Sequence, residues 1–137
     1  MINYLEKRKK YLIYLPLGLY WVLLLFLTSI PGVNIPTQIT FNDKLEHITA
    51  FMGLGLLLSL TLKVQNKYQY LKLNYIKTTL AIGVCYGVLD ELHQLFIAGR
   101  SCDIWDVTAD TTGIVTGLII ISIIIGIDKK RESRIAE

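Results

Sequence analysis

The sequence predicts an all-α integral membrane protein, a four-helix bundle with its N- and C-termini in the cytoplasm, and three observations carry that reading. Hydrophobic residues make up 53% of the 137 positions and the mean hydropathy is +0.48, both high for a soluble domain. Twelve of the 14 basic residues fall in three segments: Lys7, Arg8, Lys9 and Lys10, then Lys63, Lys67, Lys72 and Lys77, then Lys129, Lys130, Arg131 and Arg134. Seven of the 11 acids (Asp43, Glu46, Asp90, Glu91, Asp103, Asp106 and Asp110) lie in the gaps, with only Lys44 and Arg100 beside them. Cytoplasmic loops of membrane proteins are enriched in Lys and Arg. The alternation therefore puts both termini and the middle loop inside, and the acids on the extracytoplasmic side of the cell membrane.

The first span covers residues 11–30, an uncharged run of 20, or about 30 Å of helix, matching the hydrocarbon thickness. Its basic flank resembles that of a signal peptide. The apolar stretch is too long for a signal core, however, and Thr28-Ser29-Ile30-Pro31-Gly32 is a poor cleavage site, so an uncleaved span is expected. Pro16 and Gly18 predict a kink within it. The second span covers about 44–62, with Phe41-Asn42-Asp43 as its cap. The third covers about 76–97, and carries Asp90, Glu91, His93 and Gln94 in its last third. Each such group raises the cost of insertion, so this helix needs partners that cover or solvate them. The fourth covers about 103–127, stopped by Asp128-Lys129-Lys130. Tyr68, Tyr70 and Tyr75 between the second and third spans read as interfacial anchors. No internal repeat or linker divides the chain, which reads as one domain over 1–137.

The net charge of +3 reads as basic inner loops drawn to anionic membrane lipids, not as a nucleic-acid surface. Cys85 and Cys102 form no disulfide framework and no metal-binding spacing.

At about 100° per residue, Asp43 and His47 share one helix face, with Glu46 alongside. Gly83, Gly87, Asp90 and Gln94 form one stripe on the third span, flanked by Glu91. Asp103, Asp106, Asp110, Gly113 and Gly117 form another on the fourth. Gly83/Gly87 and Gly113/Gly117 have the small-xxx-small spacing of close helix packing. Acids continuing the same stripes therefore point inward. Asp90 and Glu91, adjacent on a helix, are expected to address different partners, and His93 to sit at the interface.

Asp43-Lys44-x-x-His47-x-x-x-Phe51-x-Gly53, then Asp90-Glu91-x-x-Gln94-x-Phe96, then Arg100-x-x-Asp103-x-x-Asp106-x-x-Ala109-Asp110-x-x-Gly113-x-x-x-Gly117 resembles the VanZ-like family. The Ser29-x-Pro31-Gly32 exit from the first span is also similar. Position 110 is Asp where many members carry Asn. The resemblance implies a small envelope membrane protein associated with resistance to teicoplanin, a lipid-anchored glycopeptide.

Three readings follow. The first is a non-catalytic protein that binds an outer-leaflet amphiphile or lipoglycopeptide, with Asp43, Gln94, Arg100 and Asp103 as binding residues. The second is an intramembrane enzyme acting on a lipid-linked envelope component, with Glu91 or Asp90 as general base, His47 beside them, and Arg100 holding an anion. A divalent cation held by Asp90, Glu91, Asp106 and Asp110 suits either, with His47 joining if the metal is zinc. The third is a structural assembly partner, in which Arg100 pairs with Asp103, Asp106 or Glu91 as a lock between helices. No serine, cysteine or threonine nucleophile motif, phosphate loop or HExxH pattern is present.

Overall fold

The computed structural model describes residues 2–32 and 41–136; its regular elements are helices, with no strand among the described residues. Helix α1 (Ile2–Lys7) leads through a π-helical turn (Lys10–Tyr14) into α2 (Leu15–Thr28); α3 (Phe41–Val64), α4 (Gln69–Leu73), α5 (Tyr75–Gln94) and α6 (Ile104–Ala136) follow. Among the described residues, three stretches are long and apolar enough to cross a membrane: Lys10–Thr28, Asp43–Val64 and Ile104–Ile135. Helix α5, with its carboxylates, does not meet that criterion by composition.

The local feature beside Pro16 is the π-turn. The Leu15 N–H reaches back five residues to the Lys10 carbonyl, immediately before Pro16. Proline has no N–H and its ring crowds the preceding turn, so a widened turn absorbs the misfit. Gly18 has open space around it and plays no such part.

Helix ends differ from expectation in three places. Phe41 to Asp43 lie inside α3 rather than capping it; Asp43, in the first turn, suits the positive end of the helix dipole. Helix α5 ends at Gln94 instead of Ile97. Its last residues tighten into three-residue turns, Phe96 N–H to His93 O and Ile97 N–H to Gln94 O, both 3.0 Å, and the chain reverses at Gly99 with φ +76°. Helix α6 continues to Ala136 rather than stopping at Ile127. Charges end an apolar stretch, but Lys, Arg and Glu are good helix formers, so the helix itself continues.

The most extensive packing joins α3 and α6; α5 fits against both, and α2 leans on α3. Glycine explains the closeness of α3 and α6. A Cβ on Gly113 would run into the Ile48 carbonyl and the Met52 nitrogen, and one on Gly117 into the Met52 carbonyl and Leu56 nitrogen. From the other side, one on Gly55 would meet the Ile114 carbonyl at 2.7 Å. The two backbones are in contact, which only small residues allow. Around this crossing Leu17, Leu24, Phe51, Leu54, Leu58 and Ile114 form the apolar core. Tyr20 crosses from α2 over Gly53 to donate to the Ala50 carbonyl at 2.7 Å.

Candidate functional site

The acids gather where α3 and α6 begin and α5 ends. Asp103 caps α6: its Oδ1 accepts the Trp105 N–H at 2.9 Å, two residues into the helix. Its own N–H donates to Glu91 Oε2 at 2.9 Å, which ties the end of α5 to the start of α6. Lys44 of α3 donates to Asp103 Oδ2 at 2.9 Å and also bonds Asp106 Oδ1. A single cation therefore holds two carboxylates of α6.

One turn deeper, His47 and Asp110 meet, with Nδ1 2.9 Å from Oδ1. Their side chains are 10% and 1% exposed. Asp90, Glu91, Gln94 and Asp106 are buried as well. The Gln94 amide donates to both Glu91 Oε1 (3.0 Å) and Asp90 Oδ2 (3.3 Å). These neighbouring acids thus share one partner, contrary to the expectation from their helical angle. The long amide reaches both because it stands one turn along the same helix, while Glu91 alone also engages α6. Gly87 makes the room: a Cβ there would lie 3.1 Å from Asp110 Oδ2. That oxygen, together with Tyr86 Oη and Trp21 Nε1, is buried and has no hydrogen-bond partner among the described residues.

The expected lock through Arg100 does not form. Arg100 makes no ion pair with a carboxylate among the described residues; its Nε donates to the Ile30 carbonyl at 3.4 Å. The reversal at Gly99 carries it toward the end of α2, and Lys44 takes the role between Asp103 and Asp106. Lys44 was legible as the second of only two cations among the acids, but its reach to α6 depends on the α3–α6 approach. His93 also has a structural partner. Ser29 Oγ donates to Leu25 O at 2.6 Å, so it accepts from His93 Nε2 at 3.0 Å, pinning α2 to α5. Beside it the Gly32 N–H meets the Ala98 carbonyl at 3.0 Å.

A cavity of about 500 Å³ opens between α2 and α3 beside this cluster. Leu23, Leu24, Leu27 and Phe51 form its apolar wall, and Asp43, Glu46, His47, Gln94 and Arg100 its polar end. Among the described residues, two sets of side chains have donor atoms close enough to share a cation, Asp43/His47/Asp106 and His47/Glu91/Asp110, each within 4.8 Å. Both include His47. Asp90, engaged by Gln94, belongs to neither.

A family model described as VanZ/LLP1 matches residues 12–125. Comparison with curated proteins and with solved structures finds no match.

Proposed function

The chain belongs to the VanZ/LLP1 family, and on that premise we propose that it is a multi-pass cell-membrane protein whose polar end faces outward and handles an outer-leaflet amphiphile. In this reading it lowers sensitivity to lipid-anchored glycopeptides such as teicoplanin. The observation that carries the proposal is the cavity between α2 and α3, apolar along one wall and charged at one end. That division suits a ligand with an acyl chain and a polar head. Arg100, without a carboxylate partner among the described residues, suits an anionic group of the head, and Asp43 and Glu46 a cationic one.

The topology completes the proposal. In this reading helix α5 is the third of four spans: Ile76, Val88, Leu89 and Leu92 are exposed on it while Asp90, Glu91 and Gln94 are buried, so its outer face is apolar enough for lipid. The positive-inside rule then places both termini in the cytoplasm.

The test is teicoplanin susceptibility of a sensitive Gram-positive host expressing wild type or Glu91→Gln at matched membrane levels. Protection by wild type that is lost in the variant is the expected result. Equal protection would place the activity outside the acidic cluster, and no protection by wild type would remove the proposed phenotype.

A second reading, acid–base chemistry on a lipid-linked envelope substrate, is favoured by the buried His47–Asp110 pair beside Glu91. An imidazole oriented by a carboxylate is the arrangement of a general base. Turnover of a lipid-linked precursor by purified wild type, absent in His47→Gln, is its signature.

A further inference from the structure

We propose that His47, Glu91 and Asp110 hold one divalent transition-metal ion, with zinc as the best-matched probe. The inference deepens the reading of the polar end as a ligand site by naming an inorganic component of that site.

The first observation is the convergence of donors. One imidazole and two carboxylates from three different helices bring donor atoms within 4.8 Å of one another. Zinc bonds to these groups at about 2.0–2.2 Å, so ligand atoms around a tetrahedral ion stand roughly 3.4 Å apart. His47 Nδ1 and Asp110 Oδ1, at 2.9 Å, need to separate by only a few tenths of an ångström. Three protein ligands leave a fourth position for water or a ligand group.

The second observation is independent of proximity. Asp110 is 1% exposed, and its Oδ2 has no hydrogen-bond partner among the described residues. A buried carboxylate oxygen without a donor is costly. Gly87 is the residue against which this oxygen lies, and Glu91 follows Gly87 by four positions on the same face of α5. The free oxygen therefore lies against the α5 stripe that Glu91 flanks.

Charge points the same way. Lys44 is committed to Asp103 and Asp106, and Arg100 forms no ion pair with a carboxylate among the described residues. Glu91 and Asp110 are left with a neutral amide, a backbone N–H and an imidazole as partners. A dication balances two carboxylates, and the imidazole among the donors favours zinc over magnesium or calcium, which prefer all-oxygen sites.

The test uses the purified full chain in lipid nanodiscs, stripped with a chelator and titrated with Zn²⁺, with Mg²⁺ as the comparison. One Zn²⁺ per chain is expected, with Mg²⁺ much weaker. Asp110→Asn and Glu91→Gln should each weaken zinc by more than about 100-fold, beyond the range typical of residues that only support a ligand. Asp43→Asn, which belongs only to the neighbouring set, should change it little. Circular dichroism of each variant confirms that it is folded. Absence of stoichiometric binding to wild type, or equal affinity in folded Asp110→Asn, overturns the proposal; loss in Asp43→Asn but not in Glu91→Gln overturns this choice of ligands. Amphiphile binding measured on the same samples separates the two claims: zinc without amphiphile removes the proposed function alone, and amphiphile without zinc removes the metal alone.

Discussion

Along the α3–α6 pair, one end is held by backbone against backbone and the other by charge against charge. At the glycine end, Gly55, Gly113 and Gly117 let main chains touch, and an apolar core surrounds the contact. At the polar end, four buried carboxylates, Asp90, Glu91, Asp106 and Asp110, crowd around Lys44, His47 and Gln94. Packing of the first kind is economical and tolerates no added atom. The second kind carries a desolvation cost that apolar residues of the same size would avoid, and on that cost rests our proposal that this end is a site rather than scaffold.

The comparison breaks most severely at Gly113. Gly113→Ala places a methyl group against the Ile48 carbonyl and Met52 nitrogen, atoms that cannot swing aside. Overpacking of this sort costs about 1–3 kcal/mol, seen as a lower midpoint in detergent-denaturant unfolding. Gly126→Ala is the control. Nothing lies within 4 Å of it, and the substitution should stabilise by roughly 0.5–1 kcal/mol from helix propensity alone.

Next comes Lys44→Met, which leaves Asp103 and Asp106 without their cation. Lys44 is 23% and Asp106 7% exposed, between the surface and buried limits, so a loss of about 2 kcal/mol is expected from the same unfolding curves. A smaller loss is expected for Asp103→Ala, which removes the cap of α6; Asp103→Asn keeps most of the cap.

Helical period in the sequence accounts for which residues turn inward but not for which of them pair across helices. The stripes Gly83–Gly87–Asp90–Gln94 and Asp103–Asp106–Asp110–Gly113–Gly117 follow from helical period alone, and all of these residues are buried except Asp103, which is half-buried. Pairing between helices does not follow from period. Arg100 was the natural partner for carboxylates because its guanidinium can bind two oxygens at once, yet its position after Gly99 turns it toward Ile30. Lys44 reaches Asp106 only because glycines elsewhere on α3 and α6 bring the helices together. Gln94 looked like one more polar residue of the stripe, and its bridge to Asp90 and Glu91 depends on its rotamer. The length of α6 beyond Ile127 was hidden for a different reason: the charges there mark the limit of apolar sequence, not of helix.

The smallest expected effect lies at the basic end. Lys72 donates to Glu6 at 2.9 Å and joins α1 to α4. That hydrogen bond holds the Glu6 carboxyl below its ordinary value of 4.5. A depressed carboxyl contributes stability that is present above its unfolded value and is lost as pH falls through the lower folded one. Both side chains are 26% exposed, so the contribution should stay within about 1 kcal/mol. Unfolding midpoints of wild type and Glu6→Gln should differ slightly at neutral pH and converge in acid.

The most direct test of the difference between the two ends is the melting temperature of Asp110→Asn in metal-free detergent, set beside wild type. The account predicts that the variant melts at or above wild type, because the amide oxygen still accepts from His47 while a buried charge with an unsatisfied oxygen is removed. A fall as large as that of Gly113→Ala would contradict it, and would make the carboxylates part of the scaffold rather than a site held at its expense.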